Sequence, residues 1–206
     1  MKMEQGTDEW KKARAGNVTA SEAVKILKGK KGDYLASRKN YMADKVLEIL
    51  TGEIAELEFY NAAMERGTEK EPIARTLYEA KTKTWVDQDG FKLHPEIEGL
   101  GGSPDGLINK DGCVEFKNPN SATHLATLRG ADIKQDYIVQ MNVIMMVYNR
   151  EWCDFVSCDD RFPENLQLFI RRFYRDPVLC AEIEIEVELF NAEVQAAVED
   201  LKGLVL

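Results

Sequence analysis

The chain has 206 residues, 44% of them hydrophobic and 31% charged, with a formal net charge of −9. That length suits one domain with a proper core, and the composition is that of a soluble globular protein. No apolar run approaches the roughly 18 residues of a membrane span, and Met1-Lys2-Met3-Glu4 leads into polar, acidic sequence, so no signal peptide is expected. Cys113, Cys153, Cys158 and Cys180 have no CxxC spacing and no adjacent His, which points to free thiols in a reducing cytoplasm rather than to disulfides or zinc. The negative total weighs against a surface coated in basic residues. It is unevenly spread, however: residues 1–50 carry 11 Lys and Arg against 7 Asp and Glu, and residues 176–206 carry 1 against 8. A basic end facing nucleic acid and a remote acidic end account for this, as does a plain solvated acidic face.

Thr7-Asp8-Glu9 reads as an N-cap with first-turn acids, opening a short helix that ends at Gly16, with Trp10 and Ala13 inward. Thr19-Ala20-Ser21-Glu22 has capping-box spacing and predicts a second helix through about Leu27, whose free N–H groups would suit an anion. Gly29-Lys30-Lys31-Gly32 is a basic loop. Tyr34 to Leu50 is expected to be helical, ending at Thr51-Gly52. Leu57 to Ala80 is also expected to be helical, with Glu71-Pro72 marking a kink or the first turn of a new helix. Glu71 and Arg75 lie one turn apart on one face. Thr82 to Leu93 is strand-like, with Asp89-Gly90 as a hairpin turn.

The stretch from Gly101 to Pro119 carries the most chemistry. Ser103-Pro104-Asp105-Gly106 is a turn that delivers one carboxylate, Leu107 to Asn109 is a short strand, and Asp111-Gly112 signals a hairpin before a return strand from Cys113 to Lys117. Side chains alternate along a strand, so Glu115 and Lys117 share a face while Phe116 points away. A two- or four-residue loop puts Asp105 within about two residues of both. Asp, Glu and Lys at one hairpin end suit metal-assisted phosphodiester hydrolysis. The carboxylates are hard ligands for Mg²⁺, which acidifies water and neutralises phosphate charge, and the lysine can hold the attacking water. The plain alternative is a surface hairpin with ordinary strand charges.

Beyond it, Ser121 to Leu128 reads as a polar helix with His124 on its surface, while His94 falls at a turn. Gln135 to Tyr148 reads as a buried helix, in which Gln140 either bonds to backbone or reaches the site. Glu151 to Ser157 and Leu166 to Tyr174 are strands. Asp176-Pro177 opens a terminal helix with Ile183, Val187, Phe190, Val194 and Val198 inward. EIEIEVELF also fits an alternating strand, but its continuation NAEVQAAVEDLK is helical. Trp10, Trp85 and Trp152 are read as core. The layout is a sheet with helical flanks.

SPDG (Ser103–Gly106) followed by EFK (Glu115–Lys117) resembles the PD-(D/E)xK nuclease signature. With QGTDEWKKARAGNVTASE (Gln5–Glu22), RGTEKEPIAR (Arg66–Arg75) and YIVQMN (Tyr137–Asn142), the chain from about Gln5 to Tyr148 resembles the lambda-exonuclease, or YqaJ-type viral recombinase, branch of that superfamily. The resemblance implies an α/β, restriction-endonuclease-like core with a central mixed sheet flanked by helices, in one domain over residues 1–206. It implies a Mg²⁺-dependent exonuclease (with Mn²⁺ able to replace Mg²⁺) with two ions per site, degrading linear double-stranded DNA 5′-to-3′ to leave 3′ overhangs. A homotrimeric ring, a single-strand annealing partner and no membrane are further implications. Carried onto this chain, the pattern makes Asp105, Glu115, Glu71 and the Phe116 carbonyl metal ligands, with Lys117 and Gln140 catalytic. Arg14, Thr19, Ser21 and Ser103 then lie at a 5′-phosphate site, and Lys28, Lys30 and Lys31 either touch DNA backbone or form a solvated loop. Glu69 competes with Glu71. The family often has Gln-x-Gln where this chain has Gln140-Met141-Asn142, so either amide can serve. Two other readings compete, an endonuclease on the same core and a non-catalytic DNA-binding protein. The complete Asp105, Glu115 and Lys117 set weighs against the second.

Overall fold

The computed structural model describes residues 5–29, 31–55 and 62–204, with backbone alone for 62–66 and 68. In chain order these are α1 (Asp8–Arg14), β1 (Val18–Thr19), a 3₁₀ turn at Ala23–Ile26, α2 (Ser37–Thr51), α3 (Ala62–Thr82), β2 (Lys92–Leu93), β3 (Leu100–Gly102), β4 (Gly106–Ile108), β5 (Gly112–Lys117), α4 (Ser121–Leu128), α5 (Gln135–Val147), β6 (Trp152–Cys158), a 3₁₀ turn at Glu164–Leu166, β7 (Leu168–Tyr174) and α6 (Pro177–Lys202). The α/β class and a mixed sheet flanked by helices are as the sequence predicts, and a smaller mixed sheet stands beside it. One runs β1-β3-β2, with β1 parallel and β2 antiparallel to β3. The other runs β4-β5-β6-β7, with β5 and β6 its parallel pair. The split falls between β3 and β4, where Pro104 has no N–H to give a ladder and the chain turns.

Alternation along β5 and β6 sorts the core into two layers. Cys113, Cys153 and Phe155 pack with α5, α6 and α2, through Val139, Ile144, Ile183 and Phe190. Val114, Phe116, Trp152 and Val156 pack instead with α3, through Ala74 and Tyr78. Tyr78 donates to buried Asp154 (2.7 Å), which also takes both Nε and Nη2 of Arg172. The 69–82 part of α3, including Glu71, is thereby fastened to the sheet.

Several local expectations change. Thr19 is a buried strand residue, not a helix cap, because β1 pairs with β3; the capping-box sequence gives only the 3₁₀ turn, without a side-chain cap. One helix runs through Pro72 without a new start there, and the part of the predicted helix over 57–61 lies outside the described residues. Only Lys92–Leu93 of the strand-like 82–93 stretch is a strand, and Asp89 caps Gly90 with its own carboxylate instead of forming a hairpin. Trp85 is exposed, since its neighbour Val86 takes the buried position. His124 is fully buried, held by Ser157 Oγ and the Leu166 carbonyl, both at 2.8 Å. The terminal segment is helical throughout, capped by Asp176 with Pro177 in its first turn.

Phe190 is fully buried and stacks on Tyr41 with ring centroids 5.5 Å apart, locking α6 to α2. Phe190→Ala is expected to cost about 3–5 kcal/mol by the cavity it leaves, read as a lower urea midpoint at unchanged slope. A loss below about 1 kcal/mol would show that this helix pair is not part of the stabilising core.

Candidate active site

The β4–β5 hairpin closes through Asn109, Lys110 and Asp111, a three-residue loop in place of the two- or four-residue one expected. Asn109 takes the left-handed conformation at φ 51°. Gly106 opposes Val114, so the antiparallel register brings Asp105 level with Glu115. The Phe116 N–H donates to Asp105 Oδ2 at 2.7 Å. Gly106 is required beside Asp105, because a Cβ there would stand 2.0 Å from Val86 Cγ1. Glu115 is buried, and its Oε1 accepts from Lys117 Nζ at 2.6 Å. Gln140 of α5 accepts from the same ammonium at 3.2 Å. Asn142, also buried, turns away to the Ile138 carbonyl and the Asp176 N–H. Of the two amides, Gln140 therefore faces the carboxylates.

Glu71 approaches from α3, half-buried, with its Oε1 accepting from Arg75 Nη2 at 2.7 Å. Glu69 is exposed. Burial, and then Asp105, push the Glu71 carboxyl up to about 7. Burial, and then Asp105, push Glu115 up to about 8. Burial also raises Asp105, against Lys117, the Phe116 N–H and Arg75. For Lys117 burial acts to remove the charge, but Glu115 and Asp105 outweigh it and keep the ammonium protonated. Three carboxyl groups thus face Lys117 and Arg75, more acids than cations in a site where burial works against their ionisation. Among the described residues no three His, Cys, Asp or Glu side chains already converge as a ligand cluster. Each carboxylate is instead engaged by a neighbouring N–H or cation. Hard oxygen donors that outnumber the cations beside them fit a divalent cation such as Mg²⁺.

A second group lies beside the hairpin. The Arg14 guanidinium stacks over Trp10 at 4.0 Å, and Trp10 Nε1 donates to Ser103 Oγ at 2.9 Å. Trp10 is thus a bridge between α1 and the loop before Asp105 rather than core; its i, i+4 spacing from Arg14 was the available signal. Burial pulls the Arg14 pKa down, against Tyr41, Glu22 and Glu48, and among the described residues none forms an ion pair with it. The parallel β1–β3 register runs Thr19 beside Gly101, and exposed Ser21 follows two residues on in the direction of Ser103. Thr19 itself is buried with its N–H received by Tyr41 Oη at 3.2 Å, so it offers no such donor outward. Lys28 is paired with Glu186 at 3.1 Å, Lys31 is exposed, and Lys30 lies outside the described residues.

Comparison with known proteins follows the same lines. The family model for the YqaJ-like viral recombinase domain matches residues 9–151. An alkaline exonuclease (LHK-Exo) from Laribacter hongkongensis superposes with TM-score 0.87 at 46% identity, covering 95% of this chain and 96% of that one. LHK-Exo in complex with dAMP gives 0.87 at 47% identity, again over 95% and 96%. A phage-related exonuclease from Haemophilus somnus 129PT shares the fold, with TM-score 0.68 at 16% identity over 90% of this chain and 96% of that chain. Curated proteins give no significant match. By the family match and the near full-length likeness to the Laribacter structure, this chain belongs to the YqaJ-like viral recombinase family, the lambda-exonuclease-like group of nuclease folds.

Proposed function

We propose that this protein is a Mg²⁺-dependent exonuclease that degrades one strand of linear double-stranded DNA from its 5′ end, leaving 3′ overhangs for recombination by strand annealing. The observation that carries the reading is the set of Asp105, buried Glu115 and Lys117 at one hairpin end, with Glu71 facing it. The Laribacter protein, 46% identical, is an alkaline exonuclease, which favours DNA ends as the substrate. Asp105, Glu115, Glu71 and the Phe116 carbonyl would hold the cation or pair of cations, Mg²⁺ or Mn²⁺. A bound divalent ion supplies charge neutralisation at the phosphate and eases ionisation of water. Lys117, oriented by Gln140 and Glu115, holds the attacking water and stabilises charge growing on the phosphate oxygens. Arg14, Ser21 and Ser103 suit a terminal phosphomonoester, which carries more negative charge than an internal diester. Exposed Lys31, with Lys28 and Lys30, would contact the DNA backbone. A homotrimeric ring would hold DNA by enclosure, consistent with a net charge of −9, and the 3′ strand would pass to a single-strand annealing protein in the bacterial cytoplasm. Among the described residues no helix is long and apolar enough to cross a membrane.

The reading is tested first on linear against covalently closed duplex. Linear DNA is digested only with Mg²⁺ or Mn²⁺ and the circle survives; cleavage of the circle would make the protein an endonuclease. Lys117→Ala should retain divalent-ion binding by calorimetry while single-turnover cleavage falls about 10²–10³-fold, the scale of one lost electrostatic contact to the transition state.

A 5′-phosphorylated end should be degraded faster than a 5′-hydroxyl end, and Arg14→Ala should erase that difference. Equal initiation on both ends by the wild-type protein would remove Arg14 from end recognition.

The raised carboxyls add a stability test. A folded-state pKa above the unfolded value means stability that is present below about 4.5 and lost as pH rises through about 8 for Glu115. At pH 8 the metal-free protein is therefore destabilised by Glu115, Glu115→Gln raises its Tm, and Mg²⁺ raises the Tm of the wild type but not of the variant. A wild-type Tm insensitive to Mg²⁺ at that pH would count against this ligand set.

A further inference from the structure

Glu71 comes to the other carboxylates from α3, and the backbone that carries it is clamped at three points. One turn before it, the Gly67 carbonyl accepts from Asn118 Nδ2 at 3.3 Å, and Asn118 directly follows Lys117 in the chain. Its neighbour Lys70 pairs with Asp160, just past β6, at 2.7 Å. Two turns after it, buried Tyr78 is held by Asp154. What these clamps leave free is the Glu71 side chain itself, whose rotatable bonds can carry the carboxylate to several places.

Arg75 takes up that freedom. Its Nη2 donates to Glu71 Oε1 at 2.7 Å, leaving Oε2 for an incoming cation. On an exposed helix face an i, i+4 pair adds little and holds its side chains loosely. This pair is not on such a face. Arg75 adjoins the stripe of Ala74 and Tyr78 that packs on the sheet, and only 16% of its side chain is exposed, against 28% for Glu71. The Arg75 Nε–H is buried with no acceptor among the described residues. That is a costly arrangement, which turning outward into water would relieve. The side chain nevertheless stays inward, where its charge reaches Asp105 as well as Glu71. We propose that Arg75 is a positioning residue for the metal site, fixing the Glu71 carboxylate in the orientation that meets the cation. The role rests on Glu71 being a metal ligand and assigns the group that holds it. The guanidinium has two opposed effects on a divalent ion, since its charge repels the ion and its grip pre-orients a ligand. Groups that orient a metal ligand without touching the ion typically contribute about 10–100-fold in affinity. The grip therefore outweighs the repulsion.

The test reads metal binding and cleavage separately. Mn²⁺ is titrated by calorimetry into the full-length metal-free protein and into variants that each show a cooperative thermal transition. Arg75→Met keeps the stem and loses the donors, and is expected to bind Mn²⁺ about 10–100-fold more weakly than the wild type. Arg75→Lys still donates from one turn away and should recover most of that loss. In a Glu71→Ala background, itself weakened, Arg75→Met should cause no further change, because the carboxylate through which it acts is gone. Wild-type or tighter binding by Arg75→Met overturns the positioning role, as does an undiminished loss in the Glu71→Ala background. Wild-type binding by Glu71→Ala alone removes Glu71 from the ligand set, and the role of Arg75 with it. In parallel, linear duplex is digested with the wild-type protein. Mn²⁺ binding that depends on Arg75 without any digestion leaves the positioning role standing and rejects the exonuclease reading. Digestion alongside binding that ignores Arg75 rejects the positioning role alone.

Discussion

The hydrogen bond from the Phe116 N–H to Asp105 Oδ2 joins the two halves of the hairpin at the point where the chemistry gathers. It exists because β4 and β5 pair with Gly106 opposite Val114, and one residue of slip would break it. The same register places Glu115 on the α5 side of the sheet and Phe116 on the α3 side. A carboxylate is then buried with Lys117 as its direct partner. Burying charge in this way is costly unless it is paired. The fold tolerates it because cations, N–H groups and one amide are brought to the same place by separate elements.

Each of those elements has its own anchor. The far half of α3 is pinned by Tyr78 to Asp154, and Asp154 to Arg172, whose guanidinium lies over Trp152 at 3.4 Å. Gln140 rides on α5, which is buried along most of its length against the sheet, the 3₁₀ turn and α6. Buried Glu48 on α2 accepts from the Gly16 N–H at 2.8 Å and from Lys45 Nζ at 2.5 Å, which holds the turn after Arg14. Gly16 needs φ +72°, and a side chain there would meet Ile49 at 2.8 Å, so the turn cannot take another residue without strain.

The acidic terminal helix has a part in the basic side of the molecule. Glu186, nearly buried, accepts from Tyr34 Oη at 2.8 Å and pairs with Lys28, and Glu193 takes a two-pronged hydrogen bond from Arg38. The uneven charge of the two chain ends is thus partly matched across the α2–α6 contact. Solvated acidic positions remain on the outer side of α6, such as Glu182 and Glu184.

What the sequence determined by itself is local and periodic. The 3.6-residue spacing of Ile183, Val187, Phe190, Val194 and Val198, with Asp176-Pro177 ahead of it, settles the terminal helix over the strand-like EIEIE alternation. The period of two along Glu115 and Lys117 puts both on one face, and the SPDG and EFK motifs mark Asp105 and Glu115. Tertiary structure decided what depends on distant partners. Thr19-x-x-Glu22 has capping-box spacing but lies in a strand, because pairing with β3 outweighs a local cap worth about 1 kcal/mol. His124 looks like a surface residue of a polar helix, yet Ser157 and Leu166 supply both of its hydrogen bonds from elsewhere in the chain. Gln140 and Asn142 are alike in sequence, and only the position of Lys117 against one and Asp176 against the other separates them. The bridge from Arg14 through Trp10 to Ser103 spans contacts some ninety residues apart in the chain, which no local pattern encodes.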